Sequence, residues 1–143
     1  MIAVDTNVLV YAHRVDSPFH TAAKDVVISL AEGSRAWAIP WPCVHEFYAV
    51  VTHPKVYDPP STRLEATAQL RAWAASPMVR FLAEVDGHLD RLLTICETGN
   101  IVGPKVHDAR IATICLTHGV EHLVTIDRDF SRFPQLVTKA PFA

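Results

Sequence analysis

The sequence has little of several features that mark whole classes of protein. Its 143 residues include only three cysteines, an odd number set far apart among apolar neighbours, so we expect reduced core thiols and no disulfide framework. It has no uninterrupted apolar run of about 18 residues and no basic segment followed by a long apolar one, which predicts neither a membrane span nor an export signal. We therefore expect a cytoplasmic protein.

The sequence also has no excess of one charge. Its 13 basic and 15 acidic side chains leave a formal net charge of −2, so the strongly basic balance that usually marks nucleic-acid binding is missing. Half of the residues are hydrophobic. At this length folding buries roughly 70% of the surface of the unfolded chain, enough for a core without disulfides or metals. No repeat, low-complexity tract or linker divides the sequence, so we expect one domain over residues 1–143.

Short apolar runs alternate with helical periodicities along the chain. The runs predict strands at residues 2–4, 36–39, 79–82, 123–125 and 136–138. Apolar i, i+3, i+4 spacing and capping residues predict helices at 17–30, 43–52, 62–76, 89–96 and 106–118, and a buried helix that follows a turn after Asp5. Gly99 is expected to cap the helix at 89–96. This alternation predicts an α/β fold, a three-layer α/β/α sandwich with a central, mainly parallel sheet.

Acidic residues gather at the sheet edge where open parallel sheets bind their ligands. Asp5 comes directly after the first strand, and Glu46 lies in the first turns of the helix after the second strand. Asp127 and Asp129 follow the fourth strand. Asp108 opens the helix before that strand, and a right-handed crossover starts this helix at the same edge.

The apolar neighbours of these acids imply low solvent access. Buried carboxylates that lie together must take up protons or hold cations, and a ligand set of oxygens alone favours Mg²⁺ or Mn²⁺ over zinc. Such a site supports phosphodiester hydrolysis by a metal-activated water. Taken singly, each acid also has an ordinary structural role: Asp5, for example, could simply cap the following helix. The prediction therefore rests on the joint placement of the acids.

The order and spacing of these residues resemble a PIN domain. The resemblance is carried by four segments: Asp5-Thr6-Asn7, Glu46, Asp108-Ala109 and Thr125-Ile126-Asp127-Arg128-Asp129-Phe130. More narrowly, the Gly103-Pro104 turn and residues 127–134 are similar to the VapC toxins of bacterial toxin–antitoxin pairs, particularly the mycobacterial type. The similarity covers essentially the whole chain.

The resemblance implies a Mg²⁺- or Mn²⁺-dependent endoribonuclease that hydrolyses structured RNA such as tRNA or ribosomal RNA. It also implies a homodimer and a cognate VapB-like antitoxin. The acidic quartet of the family, which binds the metal and carries catalysis, is matched by Asp5, Glu46, Asp108 and Asp127. A further, less constant acid matches Asp129. Supporting polar residues, which could orient the carboxylates, match Thr6, Asn7 and Thr125.

Basic residues near the acids could grip the phosphates that flank a cut. The candidates for this RNA contact are Arg14, Lys105, Arg110, Arg128 and Arg132, although for any one of them alone ordinary solvated surface charge is the favoured role. The histidines do not have metal-ligand spacing, but His45 and His107 could line the rim of the pocket. Core packing is favoured for Trp37 and Trp73 over stacking on RNA bases. For Trp41, between two prolines near the rim, both roles stay open.

Two other functions remain as alternatives. One is a catalytically silent PIN-fold module that binds RNA or protein, which a broken acidic set would indicate; here the set is intact. The other is a receiver-type signalling domain, which is also α/β with an acid after its first strand. Such a domain should carry paired acids there and a phosphoacceptor aspartate after its third strand, whereas Leu82 is followed by Ala83 and Glu84.

Overall fold

A computed structural model describes residues 1–142, in which five parallel strands form one sheet with six α-helices around it. The strands are β1 (Ile2–Val4), β2 (Trp37–Pro40), β3 (Val79–Leu82), β4 (His122–Val124) and β5 (Thr138–Lys139). The helices are α1 (Thr6–His13), α2 (His20–Glu32), α3 (Trp41–Val51), α4 (Arg63–Ala74), α5 (His88–Thr98) and α6 (Val106–Thr117). Two short 3₁₀ helices are Gly103–Lys105 and Arg128–Arg132. The predicted three-layer α/β/α architecture is confirmed.

The strand order β3-β2-β1-β4-β5 determines where a ligand can bind. The chain runs from β1 outward to β3 and then returns to place β4 on the other side of β1. In open parallel sheets, the crevice at the carboxyl ends of two such strands is the usual binding site. A receiver-type sheet has the order 2-1-3-4-5. The observed order therefore contradicts the receiver alternative and points to the junction of β1 and β4.

Each predicted strand and helix is present, and the differences lie at the boundaries. No turn separates β1 from α1, because Asp5 is itself the N-cap of α1. The last strand begins at Thr138, later than predicted, because the amide of Leu136 donates to the carbonyl of Phe133 in a turn. Gly99 does cap α5, but at φ −85°, and the left-handed residue is Asn100. A Cβ on Gly99 would lie 2.9 Å from the carbonyl oxygen of Arg132, so close packing accounts for the glycine.

The core lies on both faces of the sheet, as expected for parallel strands whose residues are mostly apolar. Helix α6 buries six of its twelve residues, which agrees with its apolar pattern nearly all round. Trp37 and Trp73 are buried, as predicted. All three cysteines are free thiols; Cys43 and Cys115 are buried, and Cys96 is only partly so. Within residues 1–142, no helix has the length and apolar character that crossing a membrane requires.

The start of α4 provides a test of local stability. The Thr62 hydroxyl accepts a hydrogen bond from the Glu65 amide, and the Glu65 carboxylate accepts one from the Thr62 amide, which completes a capping box. Thr62→Ala should lower the free energy of unfolding by about 1 kcal/mol in urea denaturation, since the Glu65 amide in the first turn loses its hydrogen-bond acceptor. Thr21→Ala, in an exposed position of α2, is the matched control and should change it little. Equal effects of the two substitutions would show that the box does not stabilise α4.

Candidate active site

The site begins where β1 and β4 end side by side. Val4 pairs with Val124 in the sheet, so the next residues, Asp5 and Thr125, leave the two strands as neighbours. The Asp5 amide still donates to the Val124 carbonyl at 3.0 Å, and the Thr125 hydroxyl donates to Oδ2 of Asp5 at 2.7 Å. Sheet register alone therefore brings together two polar side chains that are 120 residues apart in the sequence.

Asp5 both caps α1 and faces the pocket. Its Oδ1 accepts hydrogen bonds from the Thr6 amide at 2.8 Å and, more weakly, from the Cys43 thiol at 3.8 Å. The residue is only 4% exposed. Burial outweighs these hydrogen bonds and raises the pKa of Asp5 from 3.8 to about 7, with smaller contributions from the charges of Glu46 and Asp108. A cation bound to the Asp5 carboxylate would offset the cost of burying its charge.

Glu46 is brought to the same place by α3, the helix that follows β2. Its Oε2 accepts a hydrogen bond from the Thr6 hydroxyl at 3.0 Å, so Thr6 bonds Asp5 through its amide and Glu46 through its side chain. Partial burial raises the pKa of Glu46, and the nearby charge of Asp108 adds to the effect. Trp41–Val51 begins two residues earlier than the predicted helix, yet Glu46 remains within its second turn.

Asp127 is held by the loop that follows β4. Its amide donates to the Thr125 hydroxyl at 3.0 Å, and its Oδ1 accepts from the Asp129 amide at 2.8 Å, which fixes the start of the 3₁₀ helix. Asn7 supports the same loop, since its Oδ1 accepts from the amide of Ile126 at 3.4 Å. The three predicted supporting residues, Thr6, Asn7 and Thr125, therefore all contact the acids or the loop that carries them.

Asp108 comes from the first turn of α6, with its side chain 25% exposed. Partial burial raises the pKa of Asp108, and the charge of Asp127 raises it further. The Lys105 ammonium lies 3.5 Å from Oδ2 of Asp108 and also forms an ion pair with Asp129. Asp129 thus stands half-exposed at the margin, where Lys105 lowers its pKa.

Asp5, Glu46, Asp108 and Asp127 line one pocket of about 300 Å³, whereas Asp129 is not among its lining residues. Another part of the pocket wall is apolar and aromatic, and no pattern in the sequence predicted it. That wall is formed by Val10, Tyr11, Val50, Val56 and Tyr57. The two tyrosines come from α1 and from the proline-rich loop after α3, and only the tertiary fold places these segments face to face.

The donor chemistry of this pocket fits a hard divalent cation. All four acids offer oxygen ligands, and three of them have a pKa raised mainly by burial and partly by their neighbours' charge. A lysine ammonium already lies at the margin of the pocket. The described residues contain no group of three or more His, Cys, Asp or Glu side chains already close enough to hold a metal ion. An ion bound in the pocket would have to draw these carboxylates closer together.

The predicted RNA-contacting residues differ in their contacts and in their exposure. Lys105 lies among the acids, and Arg110 lines a neighbouring pocket while forming an ion pair with Glu84. The guanidinium of Arg14 makes two hydrogen bonds to Asp16, of 2.9 and 2.7 Å, and lies over the ring of Tyr57, which lines the pocket of the acids. Arg128 and Arg132 are exposed on the 3₁₀ helix after Asp127.

The hydroxyl of Thr125 offers a test of this hydrogen-bond network. It donates to Asp5 and accepts from the Asp127 amide, so Thr125→Val leaves a buried carboxylate without one of its donors. We expect a loss of about 1 to 3 kcal/mol in the free energy of unfolding at pH 8.5, where Asp5 is charged, and a smaller loss at pH 5, where it is protonated. Thr125→Ser keeps the hydroxyl and should retain most of the stability. A loss that does not depend on pH would contradict the assigned bond.

Comparison with known proteins gives one consistent result. The PIN domain family model matches residues 2–136. Two relatives from Mycobacterium tuberculosis are ribonuclease VapC31, 31% identical over 93% of both chains, and ribonuclease VapC48, 29% identical over 97% of this chain and 96% of the relative.

Solved structures are similar in fold. VapBC2 from Rickettsia felis matches with a TM-score of 0.69 at 20% identity, covering 98% of both chains. VapC20 from M. tuberculosis, a toxin that cleaves the sarcin-ricin loop, matches with a TM-score of 0.69 at 16% identity, covering 92% of this chain and 93% of that one. At these identities the likeness establishes the fold alone.

Proposed function

The chain belongs to the PIN-domain family, among the VapC ribonucleases, and from this premise we propose that it is a toxin that hydrolyses structured RNA at the pocket between β1 and β4. The observation that carries the proposal is the convergence of four acids from four separate elements on one pocket. Relatives named as ribonucleases cover nearly the whole chain, which favours an enzyme over a silent binding module.

We assign the metal to Asp5, Glu46, Asp108 and Asp127, with Asp129 as an outer acid. Family membership makes a divalent ion the expected cofactor, and the oxygen-only donor set favours Mg²⁺ or Mn²⁺. When bound, such an ion supplies a water of lowered pKa as the attacking group and stabilises charge on the phosphate.

The residues of the chain prepare the pocket for that ion. Thr6 and Thr125 fix both oxygens of Asp5, and Thr6 also fixes Glu46, so two carboxylates keep their orientation without a bound substrate. Burial raises the pKa of Asp5, and a divalent cation in the pocket would offset this cost by favouring the charged carboxylate. Lys105 lies at the margin of the pocket. Once Asp108 binds the metal ion, the Lys105 ammonium is placed to contact a phosphate.

We propose three partners for this chain. One is an RNA with structure of the tRNA or ribosomal type; VapC20, which has the same fold, is a sarcin-ricin-loop cleaving toxin. The second is a VapB-like antitoxin, since solved structures of this fold include VapBC2 from R. felis bound to promoter DNA and a VapBC-1 complex from Haemophilus influenzae. The third is a second copy of the chain in a homodimer.

Incubation of the purified protein with total cellular RNA tests the function. We expect discrete new ends with Mg²⁺ or Mn²⁺ and none with EDTA, because the pocket acids alone provide no nucleophile. Attack by water leaves 5′-phosphate and 3′-hydroxyl ends, which adaptor ligation without prior phosphorylation detects. Cyclic phosphate ends would refute the water mechanism, since they require attack by the 2′-hydroxyl of the RNA. RNA that stays intact under all conditions would favour the silent module.

A further inference from the structure

A second pocket, of about 430 Å³, adjoins the candidate active site. Glu46 and Asp108 line both pockets, so the acids stand at the junction of a longer groove. The rest of the second lining comes from the start of α3 and the start of α6: Pro42, His45, His107 and Arg110. An RNA strand bound at the acids extends beyond the first pocket, and the second pocket is open to its next nucleotide.

An exposed aromatic ring directly precedes a lining residue of this second pocket in the chain. Trp41 is next to Pro42 and one helical turn before His45, so Trp41 and His45 share a face of α3. The indole stacks on the ring of Phe81, with centroids 4.8 Å apart and planes 26° apart. Trp41 is 41% exposed, whereas the other two tryptophans are buried. A ring held by a second ring loses little conformational freedom when another flat group stacks on it.

The second pocket also has hydrogen-bond donors. His45 and His107 are exposed, and an imidazole carries at least one N–H donor in every protonation state. Arg110 donates through Nε to Glu84, and its terminal amino groups have no hydrogen bond to the described residues 1–142. Donors of these types bind the phosphate oxygens of nucleic acids. A flat ring beside such donors, directly next to a phosphodiester-cleaving site, suits a nucleotide better than a peptide side chain.

We propose that an unpaired nucleobase next to the cut stacks on Trp41, while His45, His107 and Arg110 donate to the adjoining phosphate. This subsite rests on the proposed ribonuclease function and extends it to the class of RNA recognised. Stacking of this kind requires an unpaired base, because only such a base exposes its face to a side chain.

Cleavage kinetics on a hairpin that carries the mapped cut test the stacking directly. Trp41→Ala should raise KM by about 10- to 100-fold with a smaller effect on kcat, and Trp41→Phe should retain most of the affinity. Phe142→Ala is the matched control, because Phe142 is 42% exposed and stacks on Phe19 away from the acids; it should cleave like the wild type.

An abasic nucleotide next to the cut completes a double-substitution cycle. It should weaken cleavage by the wild type about as much as Trp41→Ala does, and it should cost the Trp41→Ala protein almost nothing more. Binding gives a second readout: RNA should quench the tryptophan fluorescence of Asp5→Asn protein, and the quenching should vanish when Trp41→Phe is added, because the remaining tryptophans are buried.

The outcomes separate the two proposals. The subsite is wrong, and the ribonuclease function stands, if the wild type cleaves RNA but the abasic nucleotide weakens cleavage equally in the wild type and in Trp41→Ala. The same conclusion follows if the wild type cleaves RNA but RNA does not quench the tryptophan fluorescence. If Trp41→Ala instead lowers the mass of the assembly in light scattering and leaves KM unchanged, the face is a protein interface and the subsite is wrong. A wild type that cleaves no RNA overturns the proposed function and the subsite with it.

Discussion

Asp5→Asn is expected to slow RNA cleavage by about 10³-fold or more while the protein stays folded. Asp5 is the most deeply buried of the four acids and lies nearest the carboxyl end of β1. Asparagine has nearly the same shape but lacks the charge that holds a cation, and a lost metal contact removes several kcal/mol of transition-state stabilisation. The loss of cleavage should also abolish growth arrest when the variant is expressed in cells.

The fold should survive because asparagine can take over the structural bonds of Asp5. Its side-chain oxygen can accept from the Thr6 amide as an N-cap, and the Thr125 hydroxyl can rotate to accept from its amide group. Asp25→Asn is the matched control, since it makes the same charge change at an exposed position of α2. Cleavage by Asp5→Asn at the wild-type rate, with the control also active, would remove Asp5 from the catalytic machinery.

The same substitution is expected to stabilise the protein at high pH without divalent metal. The folded state raises the pKa of Asp5 from 3.8 to about 7, so folding favours the protonated form. Between these pH values the folded protein binds more protons than the unfolded chain, and stability therefore falls as pH rises. The penalty is fully present above pH 7 and absent below about pH 4. Glu46 and Asp108, whose pKa values are also raised, act in the same direction.

Urea denaturation in EDTA measures this penalty. The stability of Asp5→Asn relative to the wild type should rise by about 3 kcal/mol from pH 5 to pH 8.5, because the wild type must charge a buried carboxyl over that range. Mn²⁺ should then stabilise the wild type at pH 8.5 and affect the variant little, since a ligand that binds only the folded state adds to its stability. A difference between the two proteins that is constant over pH would contradict the raised pKa of Asp5.

The fold could be predicted from the sequence because the local signals for helices and strands agree with each other. Pro42, the Thr62–Glu65 box and Gly119 mark helix ends, and parallel strands buried on both faces read as short apolar runs. The boundaries of β5 were wrong because Leu136 is buried in a turn, and burial in a turn leaves the same apolar pattern as burial in a strand.

The placement of the acids followed from one rule, that polar residues after parallel strands meet at the same edge. The sequence could not predict which side chains contact each other. The bond from Thr6 to Glu46 depends on the relative rotation of α1 and α3, and the ion pair of Arg14 with Asp16 was not predicted. The wall formed by Tyr11 and Tyr57 depends on how the proline-rich loop packs, for which there is no periodic signal.

Anomalous diffraction from crystals soaked in Mn²⁺ can show whether four carboxylates from distant parts of the chain hold a hard divalent cation. We expect a strong peak in the pocket at the ends of β1 and β4, with oxygens of Asp5 and Asp108 about 2.1 Å away and Glu46 or Asp127 completing the shell directly or through water. The same soak of Asp5→Asn crystals should weaken or abolish the peak. A fully occupied Mn²⁺ elsewhere on the molecule, with an empty pocket between these acids, would show that they are not the metal site.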